Sequence, residues 1–312
     1  MKILICLYLS LSFTIFSKLV IADSNLKVLV TIKPFHSLVS AVMEGVTEPL
    51  LLLKGNNSPH NYSFKPSSAK ILKESDVVFW GGKEMEYFLS KTINNLVKRE
   101  KLVSLLKIDG LNLLEWRSIT NWSKHRKFSS NKKTKDAKNV LLYFDPHIWL
   151  DPHNAKIIIN AIVQTLSQRD PHNEKIYIEN GKKYELLIEN LDKNLSLKMT
   201  EIKSYPFLVL HDAFQYFEWR YKLNNLGAFE LNNSFGMSMK RMQKIRKKIK
   251  EEKIICIFSE PYISQKLLKT AVEGTNTRLG VLDPIGANLN NGPDLYFNLL
   301  TNLGASLKKC LK

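Results

Sequence analysis

Lys27-Val28-Leu29-Val30-Thr31, then Ile32-Lys33-Pro34, then Phe35-His36-Ser37-Leu38-Val39-Ser40-Ala41-Val42-Met43 decides how this chain is read. The first five residues are a short apolar run of the kind that forms a buried strand, and the spacing after Pro34 predicts a helix over 35–43. Together they make one βα unit.

The unit recurs along the chain. A strand is expected over 48–53, a helix over 67–74 behind Pro66-Ser67-Ser68, a strand over 76–80 and a helix over 84–97. Residues 117–139 break the pattern, because Lys, Ser, Asn and Thr dominate there; they read as a mobile basic surface loop. Order returns over 145–151, and 154–166 has helical apolar spacing. Residues 173–202 form one long helical pattern, its apolar face supplied by Ile176, Ile178, Tyr184, Leu187, Ile188, Leu191, Leu195 and Met199. Strands over 206–210, 254–258 and 278–282 then alternate with helices over 213–221, 239–252, 264–273 and 294–311. Repeated βα units predict an α/β fold in which mainly parallel sheets are flanked by helices. Two α/β domains follow, residues 23–172 and 204–312, joined by a linking helix over 173–203.

Lys2, an apolar run from Ile3 to Phe16 and the small-residue pattern Val20-Ile21-Ala22 read as a signal peptide over 1–22. Ser10, Ser12, Ser17 and Lys18 interrupt that run, which argues against a membrane anchor. Cys6 lies inside the run and not at the cleavage point, so the expected location is the periplasm without a lipid anchor. About 290 residues would remain, enough for two domains of ordinary size. Of the cysteines, Cys256 and Cys310 would survive processing, and an even pair in an oxidising compartment reads as a disulfide. The net charge of +17 raises the question of nucleic acid. The basic residues are spread along the chain without the interleaved aromatics of a groove reader, and an exported protein does not meet nucleic acid; no nucleic-acid partner is expected.

Metal-ligand chemistry gathers in loops. His60 lies in Ser58-Pro59-His60-Asn61-Tyr62, His147 in Asp145-Pro146-His147-Ile148-Trp149, His211 at the end of the 206–210 strand, and Asp283 at the end of the 278–282 strand. Open α/β sheets bind ligands beyond the carboxyl ends of their strands. Three imidazoles and a carboxylate would fill a tetrahedral zinc shell if the two halves faced one another. Taken singly each histidine is more ordinary as a turn residue; only the set points to a metal. Glu260 has two readings, a carboxylate that fixes a ligand histidine or a turn cap. His36, His125, His153 and His172 are read as outside the ligand set, and Trp80 and Trp149 as core or cleft wall.

These residues resemble the metal-binding receptors of bacterial ABC importers for zinc and manganese, in particular the ZnuA-like zinc receptors of the cluster A-I solute-binding proteins. The resemblance runs from about Lys27 to the C-terminus. It is carried by residues 58–67, by Asp145 to Pro152, by His211-Asp212-Ala213-Phe214-Gln215-Tyr216-Phe217, by Glu260-Pro261 and by Leu282-Asp283-Pro284-Ile285-Gly286. It implies two pseudo-symmetric domains joined by a rigid helix, with the metal in the cleft between them. It also implies ligand roles for His60, His147 and His211, with Asp283 or water completing the shell. Manganese receptors of the family tend to place a carboxylate where this chain has His211, so Zn2+ is the expected ion and Mn2+ the alternative. The implied function is a monomeric receptor that captures zinc and delivers it to an ABC importer permease in the inner membrane, with no enzymatic step. A zinc hydrolase is the rival from another class, although the chain lacks a His-Glu-x-x-His helix; a surface adhesin is a third, which no residue supports. Where such receptors often carry a loop rich in histidine and acidic residues, residues 117–139 are basic, so no second zinc site is expected there.

Overall fold

The computed structural model describes residues 26–54, 64–117, 144–229, 239–263 and 266–312. β1 (Val28–Val30) has all three side chains buried, as a strand covered on both faces must. Pro34 sits in the first turn of α1 (Lys33–Val42), where its missing N–H leaves no bond unmade. All of α1 is buried, because it packs at the centre of the molecule against helices of both halves.

The N-terminal lobe continues with β2 (Leu50–Leu51), α2 (Pro66–Glu74), β3 (Val77–Trp80), α3 (Tyr87–Leu96) and β4 (Leu102–Ser104). Its sheet is parallel, in the order β2-β1-β3-β4. After α4 (Pro152–Arg169) and α5 (Glu174–Thr200) comes the C-terminal lobe: β5 (Phe207–Val209), α6 (Gln215–Tyr221), β6 (Asn225–Ala228), α7 (Met239–Glu251), β7 (Cys256–Ser259), α8 (Lys266–Val272), β8 (Arg278–Val281) and α9 (Leu295–Leu311). Its sheet is also parallel, in the equivalent order β6-β5-β7-β8.

Two strands were not legible beforehand. β4 is three half-buried residues, too short for a periodic signal, and β6 contains Asn225 and Gly227, which are poor strand formers. Residues 145–151 hold no strand: Phe144 makes a single antiparallel bridge to Glu115, and Ile148–Leu150 is one 3-10 turn. His147 is therefore carried by a turn and not by the carboxyl end of a strand.

α5 is about 40 Å long at the standard rise. It lies against α1, α4 and α9 and so touches both lobes. Gly181 lets it approach α4 closely, since a Cβ there would stand 2.6 Å from Val163 Cγ2. Its buried face is Tyr177, Gly181, Tyr184, Ile188, Leu195 and Met199, whereas Ile178 and Leu187, expected on that face, are exposed. Asn180 donates to the carbonyls of Val42 and Glu44 on one side, and Glu201, just past the helix, pairs with Lys308 and Lys312 of the C-terminal lobe. One apolar core runs through both lobes, with a smaller cluster beneath α7 and α8. Cys256 at the start of β7 and Cys310 near the end of α9 are disulfide-bonded, with Cα atoms 6.0 Å apart.

Candidate metal centre

β5 and β7 are neighbours in register, Val209 opposite Phe258, so the residues just beyond them emerge side by side. That places the His211 ring against the Glu260 carboxylate: Nδ1 donates to Oε1 over 2.7 Å. Glu260 is buried, and burial opposes its ionisation. The charge of the His211 ring and hydrogen bonds from His211 and Tyr262 nevertheless hold its carboxyl below the usual range. Glu260, for which the sequence left two roles open, thus supports a histidine.

His147 has the same arrangement within one turn. Its Nδ1 donates to Asp145 Oδ1 over 2.6 Å, and the same oxygen accepts the His147 backbone N–H at 3.0 Å. The side chain is 1% exposed against 21% for His211, so His211 is the solvent-facing member of the pair. Burial, with the His211 charge beside it, pushes the His147 pKa well below the ordinary histidine value. The ring is neutral at neutral pH. In both residues Nδ1–H donates to a carboxylate, so in the neutral ring Nε2 carries the lone pair, and a carboxylate behind an imidazole is the usual support of a metal ligand.

The two rings lie 5.1 Å apart between centroids, at 75° to one another. Two imidazoles bound to one tetrahedral zinc through nitrogens at about 2.0–2.1 Å would have ring centres about 5 Å apart. The separation of the pair is one that a shared zinc ion allows. Asp283 follows β8 as expected, but its carboxylate is engaged: Oδ1 accepts from the backbone N–H groups of Ile285 (3.0 Å) and Gly286 (2.9 Å), and Oδ2 from Ala287 (2.6 Å). Burial, with Glu260 adding, raises its pKa against those three amides. Among the described residues no three His, Cys, Asp or Glu side chains are gathered to hold an ion. The structure brings His147 and His211 together; His60 lies outside the described residues, as do His125 and residues 118–143.

Behind the pair is a buried acidic cluster that sequence reading missed. Asp145, Asp212 and Glu218 surround Arg117, whose side chain is only 5% exposed. Arg117, expected at the edge of a surface loop, binds Asp212 through Nε (3.1 Å) and Nη2, and Glu218 Oε2 through Nη1 (2.6 Å). Burial pushes the Asp145 and Asp212 carboxyls up to about 7, with Glu218 crowding both. The spacing Asp145-x-His147 was visible as a signal for a supported histidine; the Arg117 cluster had none, because its members are far apart in the chain. Of the histidines set aside, His36 is buried and bonded through Nε2 to Pro49 O (2.9 Å), and His172 is exposed. Trp80 and Trp149 are buried core residues.

Residues 28–310 match the family described as "Zinc-uptake complex component A periplasmic". The chain is 38% identical over 304 residues to the high-affinity zinc uptake system protein ZnuA of Brucella abortus, covering 91% of each chain. In fold it is similar to a solved crystal structure of ZnuA, with a TM-score of 0.75 at 21% identity, covering 93% of this chain and 100% of that one. It is similar also to the periplasmic zinc-binding protein TroA of Treponema pallidum, with a TM-score of 0.74 at 19% identity over 92% and 99% of the two chains.

Proposed function

The chain belongs to the periplasmic zinc-uptake component A family, and from that premise we propose that it captures Zn2+ between its lobes with His147 and His211 as ligands. It is a zinc-binding receptor of an ABC importer, and the family is one of solute receptors. We assign His60 as the third ligand and Asp283 or a water molecule as the fourth, with Asp145 and Glu260 fixing the two described rings. The permease of the importer is the proposed partner, and the receptor acts as a monomer. Residues 1–22 are the proposed export signal; among the described residues no helix is long and apolar enough to cross a membrane. The proposed domains are 23–172 and 204–312, with 173–203 as the linking segment.

One observation carries this reading: two imidazoles, each backed at Nδ1 by a buried carboxylate, lie edge to face at a centroid separation that suits one zinc ion. Imidazole is a borderline ligand that suits zinc, whereas a carboxylate-rich set would suit a harder ion. Delivery requires no bond making in the cargo.

Chelator competition tests the reading. His147→Ala and His211→Ala are each expected to weaken zinc binding by more than about 100-fold, beyond the 10- to 100-fold typical of losing only an outer support. Wild-type affinity in both variants would overturn it. Elemental analysis of protein purified without added metal is expected to find zinc in preference to manganese.

A further inference from the structure

Each histidine of the pair is braced by the opposite lobe. Tyr216, on α6 of the C-terminal lobe, donates its hydroxyl to the backbone carbonyl of Asp145 over 2.8 Å. The Tyr216 hydroxyl oxygen in turn accepts the backbone N–H of Leu114 at 3.1 Å. Asp145 is the residue whose carboxylate carries His147. In return, Arg117 of the N-terminal lobe grips Asp212, the residue after His211, with two nitrogens, and reaches Glu218 of α6 with a third. Gln215 adds a bond from Nε2 to the Glu115 carbonyl at 3.1 Å. The turn that carries Asp283 is held the same way, by Trp149 Nε1 on Pro284 O (2.8 Å) and Lys33 Nζ on Ala287 O (2.9 Å).

Staples that only joined two lobes could end anywhere on their surfaces. These end on the residue that supports one histidine and on the residue bonded to the other. A metal site demands that precision, because zinc–nitrogen distances hold to within about 0.2 Å and a ring pair split between two lobes inherits every shift between them. We infer that Arg117 and Tyr216 are positioning residues of the zinc site, setting the separation of the His147 and His211 rings across the lobe boundary. The inference rests on the reading that these two histidines bind zinc.

Tyr216→Phe removes one hydroxyl and keeps the buried ring; Arg117→Lys keeps the charge and loses the fork. Zinc affinity by chelator competition, the melting temperature of the metal-free protein and the visible spectrum of the cobalt(II)-loaded protein would be measured on each, beside His147→Ala. Each positioning variant is expected to bind zinc about tenfold more weakly, the low end for a lost outer support, with an altered cobalt absorption band. Wild-type affinity and spectrum in both, whatever the change in melting, alongside lost binding in His147→Ala, would overturn the bracing alone. Wild-type binding in His147→Ala would overturn the site and the bracing together. If Arg117→Lys does not fold, Tyr216→Phe decides by itself.

Discussion

β3 in the N-terminal lobe and β7 in the C-terminal lobe occupy the same place in their sheets, and a buried glutamate follows each, Glu86 and Glu260. The two glutamates have opposite fates. Glu260 has His211 against it and stays ionised. Among the described residues Glu86 accepts from neutral donors such as the Gly82 amide, at 3.1 Å, and burial, with Glu84 adding, pushes it up to about 7. Glu260 directly follows β7, whereas Glu86 lies six residues beyond β3 at the start of α3; of the two, the glutamate with a histidine against it is the one that stays ionised. The lobes differ also in bracing, since the described disulfide ties β7 to α9 in the C-terminal lobe.

The largest expected effect tests that covalent asymmetry. Replacing Cys256 and Cys310 together with Ser opens a loop of 54 residues' separation, which on the chain-entropy model costs about 4 kcal/mol. Because one apolar core spans both lobes, urea denaturation of the variant should remain a single transition, shifted to lower denaturant. Two separated transitions would show that the lobes are independent.

Glu86→Gln comes next. The folded-state pKa of Glu86, about 7, lies above its unfolded value of 4.5, so protonation favours the fold. That stability is complete below about pH 4.5 and is lost as pH rises through 7. Full loss amounts to about 3 kcal/mol at 1.36 kcal/mol per pH unit. Glutamine imitates the protonated form. The variant should match the wild type in urea denaturation at pH 4 and exceed it by about that amount at pH 8.5, with zinc affinity unchanged.

Glu260→Gln, the mirror experiment, should have the smallest effect on free energy and the opposite signature. Zinc affinity is expected to fall 10- to 100-fold, about 1.4–2.7 kcal/mol, as the support of His211 loses its charge. A chelator titration in which Glu86→Gln weakened zinc binding and Glu260→Gln did not would reverse the assignment of the two glutamates.

Much of the architecture is legible in the sequence. The apolar runs at 28–30, 77–80 and 256–259 and the proline-started helices at 33–42 and 66–74 lie where the residue pattern put them, within a few positions. β6 was invisible because its stability comes from tertiary use of Asn225, whose side chain bonds to Glu218 Oε1 at 2.6 Å and to the Gly227 amide at 3.0 Å. The exposure of Ile178 and Leu187 is not legible in the sequence for a related reason: helical spacing shows which residues share a face, and the neighbouring helices choose how wide the buried face is.

The residues alone determined the α/β alternation, the kinds of side chain available to a metal and the cysteine pair, since each depends on composition or on neighbours a few positions apart. Only the fold decided which carboxylate meets which imidazole, and that Arg117 is buried and not solvated. Those contacts join residues 49 positions apart at Glu260 and His211, 95 at Arg117 and Asp212, and 102 at Leu114 and Tyr216. Periodicity along a chain reports burial of nearby side chains, whereas partners so distant are chosen by the way the two sheets and α5 pack.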